Sequence, residues 1–321
     1  MKQSGEATVV KHTGSHYLLS ALPEWDPFPA VIRGRVRLSG SASTNPVAVG
    51  DRVHYSLEGA SSESIATIDE ILPRANCVVR RSTNLSRENH IIAANLDRAL
   101  LVVTMAFPQV KPEFIDRFLV TCRAYGVPVT IVINKTDIED PSISEARDAF
   151  ESIYGKAGYR IIETSAKTGE GIEELRAALA VNGRGEYGVN LLSGVSGVGK
   201  SSIVKALDPS LNPRTAQISL SHLQGRHTTT FYEMYPLCSG GFIIDTPGIR
   251  SFGLLDLEPE EIALYFPEML KASSLCRFTP CTHTHEPFCA VKAAVDAGEI
   301  SAERYNSYLG MLEENTKYRT K

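Results

Sequence analysis

The sequence predicts a multidomain α/β protein with an N-terminal β-barrel, a mainly parallel sheet covered by helices, and a C-terminal helical unit. Three observations carry this. Between Val9 and Asn76 short β-type runs are broken by turns; from Cys77 to Asp256 nearly all-apolar strands alternate with amphipathic segments; after Leu257, Cys276, Cys281 and Cys289 crowd beside His283. A chain of 321 residues, 43% hydrophobic and 22% charged, can bury more than one core. The expected boundaries are 1–76, 77–256 and 257–321.

Composition narrows the function classes. No apolar run approaches the roughly 20 residues that cross a bilayer, and the start MKQSGEATVVKHTG has neither a signal-peptide core nor an Arg-rich amphipathic character. A cytoplasmic protein without a membrane partner is expected. The net charge of −4 gives no global sign of nucleic-acid binding, so any RNA contact rests on local patches.

In the barrel region the β-type runs are HYLLSAL, AVIRGRVRL, VAVGDRVHYSL and ESIATIDEIL, and Pro73 to Asn76 punctuates the end. Arg33, Arg35 and Arg37 alternate along one run, which puts all three guanidinium groups on one face of a strand. A solvated face and a phosphate-gripping face both fit that pattern, as they do the tail of Lys317, Arg319 and Lys321.

The central region reads as ALLVVTMA, PVTIVINKTD, YRIIETSAKTG, YGVNLLSG and GFIIDTPG, with helices around Phe114, Phe118 and Leu119, from about Ser142, and over Ile172, Leu175 and Leu179. Strands apolar on both faces imply a parallel sheet sandwiched by helices, with functional loops at the strand C-termini.

One such loop is GVSGVGKS: Gly194, Val195, Ser196, Gly197, Val198, Gly199, Lys200 and Ser201, with Ser202 next. It follows an apolar strand and opens a helix, the context a phosphate-binding loop needs. Its backbone N–H groups would curl around phosphate oxygens, Lys200 would place a point charge at the terminal phosphates, and Ser201 would offer its hydroxyl to Mg²⁺. In DTPG, Asp245 ends a strand where a carboxylate can hold the Mg²⁺ shell, and the Gly248 N–H can follow the γ-phosphate.

Base identity is set by a second pair of loops. NKTD (Asn134, Lys135, Thr136 and Asp137) resembles the N-K-x-D signature of the GTPase superfamily, and SAK (Ser165, Ala166 and Lys167) is similar to that superfamily's second base-contacting loop. A fixed Asp137 carboxylate can accept from guanine N1–H and the 2-amino group, whereas adenine would leave that charge unpaired. Asn134 is expected on the base edge, the Lys135 stem over the ring, and a backbone N–H of the SAK loop on guanine O6. The ligand is therefore GTP or GDP. In the usual order the phosphate loop comes first; here NKTD and SAK precede it and DTPG comes last, so the loops can surround one nucleotide only in a circularly permuted P-loop domain. Loss of the γ-phosphate is then expected to reach the third unit through the chain after Gly253.

With this order, the barrel, the segment GRHTTT (Gly225 to Thr230) and the terminal Cys/His cluster, the sequence resembles the RsgA (YjeQ/YloQ) family of small-subunit-dependent GTPases over nearly its whole length. The resemblance implies an OB-like barrel that binds ribosomal RNA, the small ribosomal subunit and its 16S rRNA as partner, and a role in late subunit assembly. It implies Thr229 as a Mg²⁺ ligand, with Thr228 and Thr230 as alternatives. Ile249 stands where many GTPases carry a water-orienting Gln; an alkyl group cannot orient water, and the resemblance points to His227 instead. Catalysis is thus expected from His227, Lys200, Thr229 and Gly248.

The pattern C-x-x-x-x-C-x-H-x-x-x-x-x-C suits one structural Zn²⁺ held by Cys276, Cys281, Cys289 and a histidine, either His283 or His285; the family pattern favours His283. Two local departures are Phe288, where the family commonly has Gly, and Pro280 before the second cysteine. A monomer is expected. The competing readings are a nucleotide-gated RNA-binding module with little hydrolysis, which Ile249 keeps open, and a permuted GTPase acting on a non-ribosomal RNA.

Overall fold

The computed structural model describes residues 2–13, 16–32, 47–58, 65–81, 89–211, 232–245 and 257–319. Five strands make the N-terminal barrel: β1 (Lys2–His12), β2 (His16–Ser20), β3 (Phe28–Ile32), β4 (Arg52–Glu58) and β5 (Ala66–Ile71). They run in the order β1-β2-β3-β5-β4, and β1 also pairs with β4, so the sheet closes on itself. Closure removes the unpaired edges that so small a sheet would otherwise expose. Every strand contributes to a shared core, among them Val9, Leu19, Ala30, Val53 and Ile68.

β1 begins well before Val9, where the sequence reading starts the barrel. Ala7 and Val9 are buried while Glu6 is exposed, so the strand period was present but short. A bulge between Val9 and Lys11 lets β1 serve two cores: Val9 belongs to the barrel and Val10 to the central domain. Beyond the bulge, Lys11 and His12 pair with the edge of the central sheet.

A separate ribbon, β6 (Cys77–Arg81) and β7 (Asn89–Ala94), lies at the junction and bridges to the barrel through Val49 and Ala93. Buried Asp51 fixes the same corner by accepting from Ala48 N at 2.8 Å and from Arg74 at 2.6 and 2.7 Å. Asn95 ties Ala75 N to Gly50 O across the joint.

The central domain contains β8 (Arg98–Val103), α1 (Pro112–Ala124), β9 (Val129–Asn134), α2 (Pro141–Lys156), β10 (Arg160–Thr164), α3 (Ile172–Ala180), β11 (Val189–Ser193), α4 (Lys200–Leu207), β12 (Tyr232–Pro236) and β13 (Phe242–Asp245). Its strands lie in the order β10-β9-β8-β11-β13-β12, all parallel except β12. The all-apolar runs are explained by burial on both faces. Along β8, Ala99, Leu101 and Val103 pack with Ile115, Phe118 and Leu119 of α1, whereas Leu100 and Val102 pack with Leu175 and Leu179 of α3 and Ile203 of α4. The α2 start is set by Pro141 in the first turn and by Asp140, whose side chain accepts from Ser142 N at 2.9 Å.

The third unit contains α5 (Pro259–Ile262), α6 (Pro267–Ser273), α7 (Ala290–Asp296) and α8 (Ala302–Arg319). Its core of Ile262, Phe266, Met269, Val291, Tyr308 and Met311 also takes in Val120 of α1. Beside it, Arg304 of α8 donates to Asp116 of α1 at 2.5 Å and to both oxygens of Glu268 at 2.6 and 3.1 Å. The guanidinium also lies over the Tyr154, Tyr159 and Phe266 rings. Its two carboxylate partners raise the Arg304 pKa against the effect of burial.

Candidate nucleotide site and metal cluster

Because β8, β9, β10, β11 and β13 are parallel, the loops after them share one edge of the sheet. GVSGVGKS joins β11 to α4 with Gly194, Gly197 and Gly199 at φ 148°, 89° and 101°. Two of these glycines are required by space as well as by backbone. A Cβ on Gly194 would lie 2.5 Å from Val102 O, and one on Gly199 would lie 2.2 Å from Asn134 Nδ2.

Asn134 connects the remote loops. Its Nδ2 donates to Val198 O in the phosphate loop at 2.9 Å, and its Oδ1 accepts from Ala166 N at 3.2 Å and from Thr164 Oγ1 at 3.3 Å. Lys135, in the left-handed region at φ 70°, donates from Nζ to Gly197 O at 2.8 Å and to Phe107 O at 2.7 Å. Residues assigned to base reading from sequence therefore also bolt the base side to the phosphate side. One amide hydrogen of Asn134 remains for a ligand; the rest of its capacity is used within the protein.

Asp137 accepts from Ser165 Oγ at 2.7 Å and lies 3.2 Å from Lys167 Nζ. The Ser165 hydrogen bond first, and Lys167 second, hold its carboxyl below the usual carboxylate range although burial opposes them. Thr136 faces Glu170, with 3.5 Å between Oγ1 and Oε2. On the phosphate side Lys200 Nζ donates to Gly194 O at 2.7 Å and to Val195 O at 3.1 Å. Burial lowers its pKa and the Asp245 charge partly offsets this. Asp245 ends β13 opposite Leu192 of β11, and Ser201 and Ser202 lie in the first turn of α4. A cavity of about 320 Å³ is lined by Asn134, Lys135 and Thr136 together with Met105, Ile138 and Arg147, and includes neither Asp137 nor the phosphate loop.

The second site is the Cys/His cluster. The ligand atoms of Cys276, Cys281, His283 and Cys289 all lie within 4.8 Å of one another. Cys276 Sγ is 3.9 Å from Cys289 Sγ, and His283 Nδ1 is 3.6 Å and 3.3 Å from these two sulfurs. Zn–S and Zn–N bonds of about 2.3 and 2.0 Å in a tetrahedron give edges of about 3.8 Å for S···S and about 3.5 Å for S···N. The donor set therefore fits Zn²⁺. Glu286 holds the loop by accepting from Thr282 N at 2.7 Å and Thr284 N at 3.0 Å, while the hydroxyls of Tyr305 and Tyr308 donate to His283 O at 2.6 Å and Thr282 O at 2.5 Å. His285 is exposed and bonds Thr284 Oγ1, so it stands apart from the ligands.

His227, Thr228, Thr229, Thr230, Gly248 and Ile249 lie outside the described residues, as do Arg33, Arg35, Arg37 and Lys321. Lys317 and Arg319 fall in the last turn and a half of α8. Sequence reasoning missed Phe107 as a backbone partner of Lys135, and the Arg304 network. The first left no motif, and the second joins residues far apart in the chain. Among the described residues no helix is long and apolar enough to cross a membrane.

The comparisons agree with this geometry. The RsgA GTPase family profile matches residues 71–255. A Bacteroides fragilis protein named small ribosomal subunit biogenesis GTPase RsgA is 49% identical over 97% of this chain and 98% of its own length. YjeQ from Thermotoga maritima superposes with a TM-score of 0.76 at 32% identity, covering 97% of this chain and 98% of its own. YloQ, described as a circularly permuted GTPase, superposes with a TM-score of 0.71 at 28% identity, covering 98% and 96%. With its closed five-stranded barrel, permuted nucleotide domain and Cys₃His unit, the chain belongs to the RsgA GTPase family.

Proposed function

We propose that the protein hydrolyses GTP and binds the small ribosomal subunit to assist its late assembly, with the subunit stimulating turnover. One observation carries the nucleotide half of this reading: Asn134 and Lys135 of the guanine loop hydrogen-bond directly to Val198 O and Gly197 O of the phosphate loop. These bonds hold the two loops against each other, which supports the reading that Asp137 and Lys200, far apart and inverted in the sequence, meet one nucleotide. The subunit half rests on the name carried by the relatives.

In this reading Asp137 selects guanine, and the N–H groups of Gly194 to Ser201 cradle the phosphates. Lys200 exchanges its two carbonyl partners for phosphate oxygens. Its charge stabilises the negative charge that grows as the β–γ bond breaks. Ser201, Asp245 and Thr229 would hold a Mg²⁺ ion, which would supply positive charge to the phosphates. His227 orients the attacking water, Gly248 reports the γ-phosphate, and one Zn²⁺ bound by Cys276, Cys281, His283 and Cys289 holds the third unit together. The protein acts in the cytoplasm as a monomer, with 16S rRNA as the surface it meets.

Phosphate release measured with GTP, with and without purified small subunits, tests the proposal. Stimulated release that GDP inhibits and ATP does not is expected. ATP competing as well as GTP would remove guanine selectivity, and release unchanged by subunits would remove the ribosomal role.

A further inference from the structure

The loop that carries the metal ligands has an outer surface that the metal does not explain. Phe288, next to buried Cys289, sits at φ 57° and is 74% exposed. A bulky side chain in the left-handed region is a backbone outlier, and here no core burial offsets its strain. Leu275 and Phe278 are exposed alongside, at 79% and 43%. Between the rings stands Arg277, its guanidinium 5.3 Å from the Phe288 centroid and 5.8 Å from that of Phe278.

The surroundings favour one kind of occupant. Among the described residues no carboxylate forms an ion pair with Arg277, and Glu286 of the same loop is turned to Thr282 and Thr284. Exposed aromatic faces joined by an uncompensated guanidinium match unpaired nucleobases, which stack on rings and bring a phosphate for the cation. A protein hot spot would use the same rings but gains less from a cation without an acidic counterpart.

We propose that Leu275, Arg277, Phe278 and Phe288 form a stacking platform for unpaired nucleotides of RNA on the outer face of the Cys₃His loop. The identity of that RNA as small-subunit RNA rests on the function proposed above. Phe288 and Phe278 supply the stacking faces, Arg277 neutralises one phosphate, and the four-ligand cluster keeps the platform rigid.

Phe288→Gly is the variant of choice, because Gly adopts φ 57° freely and the fold is retained; zinc content and thermal midpoint serve as controls. Binding of full-length protein with a non-hydrolysable GTP analogue is measured against purified small subunits and against protein-free 16S rRNA. On both, Phe288→Gly is expected to bind about 5- to 150-fold more weakly, the loss of one stacked base. Arg277→Gln should lower the salt slope on rRNA by about one. Unchanged binding of Phe288→Gly to rRNA overturns the platform, and a loss confined to intact subunits overturns it in favour of a ribosomal protein. A wild-type chain that binds rRNA but not subunits sinks the proposed function while the Phe288→Gly comparison on rRNA still decides the platform.

Discussion

Replacing Asn134 with Ala removes two hydrogen bonds, to Val198 O at 2.9 Å and from Ala166 N at 3.2 Å, and a third at 3.3 Å from Thr164 Oγ1, whose one proton is shared with Ile133 O at 3.2 Å. Asn134 is 3% exposed, so bulk water cannot take its place. At about 1 kcal/mol net for each bond the loss is at most about 3 kcal/mol. It divides between folding stability and nucleotide binding, because the bonds hold the base-side loop against the phosphate loop. Asn134→Asp separates shape from hydrogen bonding. It keeps the acceptor for Ala166 N but turns a carboxylate oxygen toward Val198 O, so its cost should equal or exceed that of Ala. Urea unfolding with and without saturating GDP, together with calorimetric GDP affinity, measures both shares. If all of the loss fell on binding, affinity would drop by at most about 150-fold. An Asn134→Ala protein that keeps both its urea midpoint and its GDP affinity within about twofold would refute the view that this residue joins the two loops.

Arg304→Ala strips a buried cation from Asp116 and Glu268 and should cost about 3 to 5 kcal/mol in denaturant unfolding, whereas Arg304→Met, which fills the space but leaves the carboxylates facing each other, should recover little of it. Burial holds the Lys200 pKa below its ordinary 10.5 in the free protein, and bound phosphates raise it. GDP binding at alkaline pH should therefore take up protons, seen as a dependence of calorimetric enthalpy on buffer ionisation heat that weakens as the pH is lowered. Metal removal by a strong chelator should cost the third unit its helical signal and lower the thermal midpoint, while GDP affinity, which depends on loops of another domain, stays within about threefold.

Much of the fold was legible because period and punctuation agreed. The apolar strand at Val129 to Asn134 ends in NKTD, and that at Val189 to Ser193 ends in the phosphate loop, so each motif came with its structural context. The permutation needed only the order of the motifs. What stayed hidden was of two kinds. β1 was overlooked where its alternation is diluted by Ser4, Gly5 and Thr8, and the β6–β7 ribbon lies in a stretch with no functional motif. Contacts between distant elements had no signature at all. Nothing in the text around Arg304, Asp116 or Glu268 distinguishes a buried triad from three surface charges, because burial is decided by how α1, α6 and α8 assemble. Asn134 was found through its motif but only half understood, since its bonds to Val198 and Ala166 depend on loops far away in sequence.

The two appended units hold the nucleotide domain by chemically different means, and the difference bears on how a change at the phosphates travels. The third unit shares a core with α1 through Val120 and is pinned by the Arg304 network. Swinging it away would expose a cation and two carboxylates whose attraction depends on burial, so α1 and the third unit move as one body. The barrel meets the central sheet through a two-pair ladder, Lys11 with Glu233 and His12 with Tyr232, supported by a part-exposed Lys11–Glu233 ion pair at 2.9 Å. Such a pair contributes about 1 kcal/mol or less. Glu233 lies directly opposite Asp245 across β12 and β13, and β12 begins two residues after GRHTTT. A shift at Asp245 therefore meets the barrel edge directly, while Val10 and Val49 in the central core and the Asp51–Arg74 pair hold the barrel elsewhere. Covalent continuation past Gly253 also leads to the third unit, but that route must work against the buried ion network.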